Sequence, residues 1–318
     1  MTDDSEFDRE GAQTGADGRT EATRFGHLPV LLKPAIDFLA IRRGGTYIDA
    51  TVGLGGHSFE IAKRLGRQGY LIGFDKDPKA LEIAGKRLSE IAADRKQDWP
   101  KITLLHGSFA RLAEHVSPST ADGVLADLGV SSMQFEDAAR GFSFQAEGFL
   151  DMRMDPQAEL TAYQVVNQFD ERTLADLIYE FGEERRSRRI ARAICRARPI
   201  TTTAELARVV AAAARPMKFQ RIHPATLTFQ ALRIYVNREL DDLKALTQSA
   251  PQVLARAGRL VIISFHSLED RIVKDAMRDG AHEGLYELVT RKPVVADDQE
   301  VAENPRSRSA KLRVAARK

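Results

Sequence analysis

A glycine-rich stretch, Asp49-Ala-Thr-Val-Gly53-Leu-Gly55-Gly56-His57, lies between a short apolar run and a helical pattern. Glycines there let the backbone turn tightly and come close to a ligand, and the start of the following helix offers free N–H groups. Asp75 follows Gly53 by 22 residues, within Gly73-Phe74-Asp75-Lys76-Asp77-Pro78. An acid at that distance grips ribose hydroxyls in nucleotide folds. Asp77 is the better cap for a helix beginning at Pro78, which leaves Asp75 for the ribose. Dinucleotide sites space their glycines G-x-G-x-x-G around a pyrophosphate, whereas here G-x-G-G is followed by His57. That spacing favours S-adenosylmethionine, which has no phosphate. Phe109, in His106-Gly107-Ser108-Phe109, closes a strand and lies either against the adenine or in the core.

These groups need strands to carry them. Apolar runs alternate with helical patterns: strands at 46–50, 70–74, 102–106 and 123–128, helices at 58–65 and 78–91. Such alternation predicts an α/β fold with a parallel sheet covered by helices. After Asp127 the alternation stops. Residues 135–236 show helical periodicity (Leu174, Leu177, Ile178, Phe181, then Ile190, Ile194) and no convincing strand, as an inserted helical domain would. The sheet pattern resumes with one long amphipathic helix through Phe229, Leu232, Val236, Leu240, Leu243 and Leu246, then a strand over 259–265. Two late runs, 285–290 and 311–315, have no clear helix between them and suit an antiparallel edge pair. The expected division is a disordered acidic tail at 1–24, a discontinuous cofactor-binding domain at 25–134 and 237–318, and the insertion at 135–236.

Composition bounds the function. A chain of 318 residues with 43% hydrophobic and 29% charged residues is an ordinary globular one. No apolar run approaches the ~20 residues of a membrane helix, and the acidic N-terminus does not resemble a signal peptide, so a cytoplasmic location is expected. Cys195 is the only cysteine, which excludes an internal disulfide and a thiolate zinc cage. The seven histidines show neither H-E-x-x-H nor paired ligand spacing, and no metal is expected. The net charge of +2 hides a basic block: residues 182–233 hold twelve bases against three acids. Arg185, Arg189, Arg192 and Arg196 recur at helical spacing opposite Ile190 and Ile194, a stripe suited to RNA phosphates or to a solvated helix face.

Further motifs carry a family resemblance. These are Asp127-Leu-Gly-Val-Ser-Ser132, Arg140-Gly-Phe-Ser-Phe144, Leu150-Asp-Met-Arg-Met-Asp155, His223-Pro-Ala-Thr226, Phe229-Gln-Ala-Leu-Arg233, Ser264-Phe-His-Ser-Leu-Glu-Asp270 and Asn304-Pro-Arg-Ser-Arg-Ser309. Together they cover roughly 25–318, and the chain resembles the bacterial small-subunit rRNA cytidine-N4 methyltransferases, the RsmH/MraW family. The resemblance implies a Rossmann-like class I methyltransferase sheet with an inserted helical domain and S-adenosylmethionine as donor. Its implied substrate is cytidine 1402 of 16S rRNA in the 30S subunit. It carries cofactor contacts onto Gly55, Gly56, His57, Asp75, Phe109, Asp127 and Gln134, beside Gly53 from the turn itself. The chain departs from the family at Leu227, where Arg is general, and at Met133, where Pro is common. If that Arg touches RNA, one phosphate contact is missing here.

Methylating an exocyclic amine requires no metal. It requires the two reactants held in contact, which contributes about 7–11 kcal/mol in favourable cases, and an acceptor for the amine N–H. Asp127, ending the fourth strand where the strand order should reverse, is the leading acceptor, or else only a contact to the donor's methionine part. Ser264, His266 and Ser267 are expected at the same crevice, with His266 either catalytic or a packing histidine. Phe142 and Phe144 either stack on the target base or anchor the insertion. Two other classes remain open: a dinucleotide-dependent oxidoreductase, favoured by Gly53, Gly55 and Asp75, and a non-catalytic RNA-binding assembly factor, favoured by the basic insertion.

Overall fold

The computed structural model describes residues 29–95, 98–214 and 223–318. The acidic segment 1–24 and the expected start of the fold near Phe25 lie outside the described residues. Seven strands are β1 (Thr46–Asp49), β2 (Tyr70–Asp75), β3 (Lys101–His106), β4 (Ala121–Asp127), β5 (Leu254–Ser264), β6 (Tyr286–Leu288) and β7 (Lys311–Arg317). They form one sheet in the order β3-β2-β1-β4-β5-β7-β6, parallel except for β7, which runs antiparallel to both neighbours. That order is the Rossmann-like class I methyltransferase arrangement. It reverses between β1 and β4, so Asp49 and Asp127 end adjacent strands at the crevice where such sheets bind ligands.

The helices in chain order are α1 (Leu32–Leu39), α2 (Gly56–Leu65), α3 (Pro78–Arg95), α4 (Leu112–His115), α5 (Ser132–Glu136), α6 (Ala162–Gln168) and α7 (Glu171–Gly182). They continue with α8 (Ser187–Ala197), α9 (Thr203–Ala214), α10 (Thr226–Asn237), α11 (Glu239–Val253), α12 (Ser267–His282) and α13 (Asp298–Glu303). Both sheet faces are covered, which explains the near-continuous apolar runs of β4 and β5. Along them successive residues enter opposite cores: Val124, Leu260 and Ile262 pack with Leu243 and Leu246 of α11, while Leu125, Val261 and Ile263 pack with Ile36, Leu39 and Ile61 of α1 and α2. A third apolar cluster belongs to the helical segment, where Leu174, Ile178, Ile190, Ile194, Leu206 and Phe229 bury one another. Phe142 is buried in that cluster and Phe144 packs on it, edge-on to Phe229, so both anchor the insertion.

Two expectations fail locally. The long helix expected through Phe229 and Leu246 is two helices, α10 and α11, broken at Arg238 in the left-handed conformation with φ 53°. The break re-aims the apolar stripe, so that Phe229, Leu232 and Val236 stay with the helical cluster while Leu243 and Leu246 serve the sheet. Asn237 holds the break: its amide donates to Met152 O at 2.7 Å, and its side-chain oxygen accepts from the Met154 N–H at 2.6 Å. The edge pair β6–β7 forms, but α13 and a 3₁₀ turn over Pro305–Ser309 lie between its strands. Asp297 caps that helix through the Glu300 N–H.

Candidate functional site

A cavity of about 570 Å³ opens at the carboxyl ends of β1, β2 and β4, a size suited to one small ligand. One wall is backbone-built. Gly53 (φ 51°) and Gly55 (φ 86°) take the left-handed conformation that side chains disfavour, and a Cβ on Gly56 would lie 2.4 Å from Pro29 Cγ. Among the described residues nothing lies within 4 Å of the position a Cβ would take on Gly53, so this face of the turn is open to a ligand. The Gly53 N–H donates to Asp75 Oδ2 at 2.7 Å and the Asp77 N–H to Asp75 Oδ1 at 2.8 Å. Each oxygen keeps acceptor capacity for a hydroxyl. Burial pushes the Asp75 carboxyl up to about 6, against those two hydrogen bonds.

Asp77 caps α3 through the Lys79 N–H and also accepts from Gln134 Nε2 at 2.9 Å and Arg140 Nη1 at 2.7 Å. Gln134 therefore lines the cavity while bracing it, since its Oε1 also accepts from the Ser131 N–H at 3.0 Å. Phe109 both lines the cavity and packs on the sheet core. Arg140, from the Arg140-Gly-Phe-Ser-Phe144 motif, ties Asp77 to the Arg153 and Met154 carbonyls.

Asp127 stands at the centre. Its N–H donates to Thr51 Oγ1 at 2.7 Å, while its buried Oδ1 has no hydrogen-bond partner among the described residues. Burial, with the Asp49 carboxylate nearby, raises its pKa well above the ordinary aspartate value, although Arg306 acts the other way. His57 is buried at the start of α2, with Nδ1 at 3.7 Å from Asp127 Oδ2 and Nε2 without a hydrogen-bond partner among the described residues. Burial lowers its pKa to about 4, so it stands neutral at pH 7. Two orphaned buried polar atoms facing one cavity are the sign of a missing polar ligand. Spare acceptors on Asp75, an open glycine face and these two atoms fit S-adenosylmethionine.

The opposite wall is made by side chains from distant segments. Arg233 forks onto Glu239 at 2.8 and 2.9 Å, and Glu269 accepts from the Phe265 N–H at 2.8 Å. His266 caps α12 and places Nε2 at 3.2 Å from Glu269 Oε1. Burial disfavours the Glu269 carboxylate, yet His266 and Arg233 hold its pKa below the ordinary value. Ligand atoms of Glu239, His266 and Glu269 lie within 4.8 Å of one another, but Arg233 already supplies the compensating positive charge. Spacing arguments missed this cluster, whose members come from three segments.

Ser264, His266 and Ser267, expected together at the crevice, do not line the cavity. Ser264 is buried and donates to Lys311 O on β7 at 3.3 Å, outside the cavity lining, because the last residue of β5 points toward its antiparallel neighbour. Ser267 bonds Glu183, which also accepts from Arg271, rather than facing the crevice. His266 is committed to Glu269. On α8, Arg189, Arg192 and Arg196 are exposed opposite the buried Ile190 and Ile194, with exposed Arg185 just ahead of the helix. Arg192 lies 3.2 Å from Glu171, so part of the stripe is intramolecularly paired.

The chain is similar in sequence to several curated proteins. Ribosomal RNA small subunit methyltransferase H of Koribacter versatilis is 68% identical over 95% of this chain and 97% of its own length. The protein of the same name from Acidobacterium capsulatum is 62% identical over 92% of this chain and 98% of its own. That from Sorangium cellulosum is 48% identical over 92% and 90%. The profile of the MraW methylase family matches residues 24–318, and with these identities over nearly the whole chain, the protein belongs to that methyltransferase family.

Proposed function

We propose that the chain transfers the methyl group of S-adenosylmethionine to the N4 amine of a cytidine in 16S rRNA of the small ribosomal subunit, cytidine 1402 by family resemblance. The observation that carries this reading is the orphaned Asp127 Oδ1 at the crevice between the backbone-built wall and the side-chain wall. The relatives' names, which specify small-subunit rRNA, support the substrate.

S-adenosylmethionine supplies an electrophilic methyl group on a sulfonium. Asp75 holds the ribose hydroxyls, Gly53 and Gly55 leave room beside the turn, and Phe109 packs against the adenine. His57, neutral and buried, lines the polar end near Asp127. Asp127 Oδ1 accepts a hydrogen bond from the cytidine amine, which localises the nitrogen lone pair, and then takes the proton that the nitrogen loses on methylation. A desolvated carboxylate with a raised pKa is a better proton acceptor than one in water. Ser264 and His266 act by holding β7 and α12 rather than by touching the amine.

The cofactor domain is assigned to 25–134 and 237–318 and rRNA recognition to the insertion at 135–236, whose exposed arginines suit phosphate. Among the described residues, no helix is long and apolar enough to cross a membrane. The test is transfer of labelled methyl to 30S subunits, naked 16S rRNA and DNA, with the product nucleoside identified by mass spectrometry. N4-methylcytidine in the small-subunit rRNA is expected; label on DNA alone, on another atom of the rRNA, or none at all would sink the proposal.

A further inference from the structure

Phe135 and Arg306 meet at the rim of the cavity. Phe135, on α5, is 37% exposed, one of four large apolar residues left so open among the described residues. The capping box formed by Ser131 and Gln134 fixes that helix. The Arg306 guanidinium sits 5.3 Å from the centre of the Phe135 ring, within cation–π range. Arg306 rides on an ordered 3₁₀ turn: the adjacent Ser307 is buried and bonds back to Asn304 O at 2.8 Å. Yet Arg306 makes no hydrogen bond or ion pair to another described residue. Arg140, Arg153, Arg233 and Arg313 each donate to a carboxylate at 3.0 Å or less. An exposed guanidinium carried on this turn and laid on an aromatic face, with the Glu136 and Asp127 charges acting on it but no carboxylate hydrogen-bonded to it among the described residues, suits a flat, acceptor-rich ligand.

Cytosine offers that pattern. Its N4–H donates, and the neighbouring N3 and O2 both accept. With Asp127 accepting from N4–H, the remaining edge presents two adjacent acceptors that match the two parallel N–H groups of a guanidinium. Uracil places an N–H donor at position 3, facing the arginine donors, and adenine offers only N1 beside its amine where cytosine offers both N3 and the O2 carbonyl. We propose that Arg306, supported by the Phe135 ring, reads the N3/O2 edge of the target cytidine and so sets base specificity. This inference rests on the cytidine-N4 reading above.

The experiment uses the full-length protein and reconstituted 30S subunits carrying either cytidine or 3-deazacytidine at the target position, the latter lacking the N3 acceptor. On unmodified subunits, Arg306→Ala should lower kcat/KM about 10- to 100-fold, the worth of one good bidentate base contact, with S-adenosylmethionine affinity unchanged. Arg306→Lys, which keeps the charge without the fork, should recover only part of that loss. The wild type should lose a similar factor on 3-deazacytidine subunits, and Arg306→Ala should lose little more on them. Losses that multiply independently would show that Arg306 serves something other than the base edge and would overturn the proposal, as would a full recovery by lysine. Failure of the wild type to form N4-methylcytidine on unmodified subunits would instead remove the cytidine reading itself, and this inference with it.

Discussion

The two walls of the cavity are made in different ways. The cofactor wall is largely backbone: glycines at positive φ, strand ends, and backbone N–H groups donating to Asp75. The opposite wall is a set of charged side chains, Arg233, Glu239, His266 and Glu269, brought together by the break at Arg238 and the start of α12. A backbone wall depends on local conformation and tolerates loss of one side chain. A buried side-chain wall depends on every partner, because each charge left alone keeps its desolvation cost.

Removing Arg233 should show this most strongly. Arg233→Ala leaves the Glu239 carboxylate without its guanidinium and Glu269 with His266 as its remaining cationic partner, and should cost about 3–5 kcal/mol of stability, read by urea denaturation. A loss below ~1 kcal/mol would mean that the wall is solvated and the contrast false. Next, Asp127→Asn should lower single-turnover methylation of 30S subunits by about 10²–10³ while leaving cofactor affinity largely intact. Affinity lost in full proportion to rate, with normal turnover at saturation, would make Asp127 a cofactor ligand only. On the backbone wall, Asp75→Ala should leave folding nearly unchanged and weaken cofactor binding by about 1.5–3 kcal/mol by calorimetry.

A pH series sharpens the same point. The Asp75 pKa is raised to about 6, so its carboxyl is protonated below that value and cannot accept from both ribose hydroxyls. Cofactor affinity should fall as pH drops through about 6, and Asp75→Asn should lose that dependence; an unchanged profile would assign the titration to Asp49, also raised to about 6. The smallest effect belongs to the exposed stripe. Replacing Arg189 and Arg192 by Gln should flatten the salt dependence of rRNA binding by ~0.7–0.9 per lost contact, and an unaltered slope would return the stripe to a solvated face.

The same contrast explains what the amino-acid order reveals. The Gly53-to-Asp75 spacing, the alternating strands and Asp127 at a strand end are local signals, and the structure brings them to one crevice. Arg238 bears no breaker, so an uninterrupted helix was the reasonable expectation; the turn there depends on Asn237 clamping the Met152–Met154 segment. Ser264 turns from the crevice for a related reason. Its strand was legible, but the neighbour that draws its hydroxyl away, β7, starts 47 residues later. Arg306 and Phe135 meet only in three dimensions, and neither carries a spacing signal.

The register of β4 against β5 also constrains how the molecule is made. Val124 pairs with Leu260 and Asp127 with Ile263, so the central strand bearing Asp127 waits for a partner encoded more than a hundred residues downstream. At ~5–20 residues per second, a ribosome leaves the hydrogen-bonding edge of β4 unpaired for roughly ten seconds. In that interval the helical segment can collapse on its own apolar cluster and bring the ends of its connection together, reducing the loop to be closed when β5 emerges. A nascent chain stopped before β5 would hold Asp49, Gly53 and Asp75 yet have an exposed strand edge where the crevice should be. Such a fragment is expected to aggregate rather than bind.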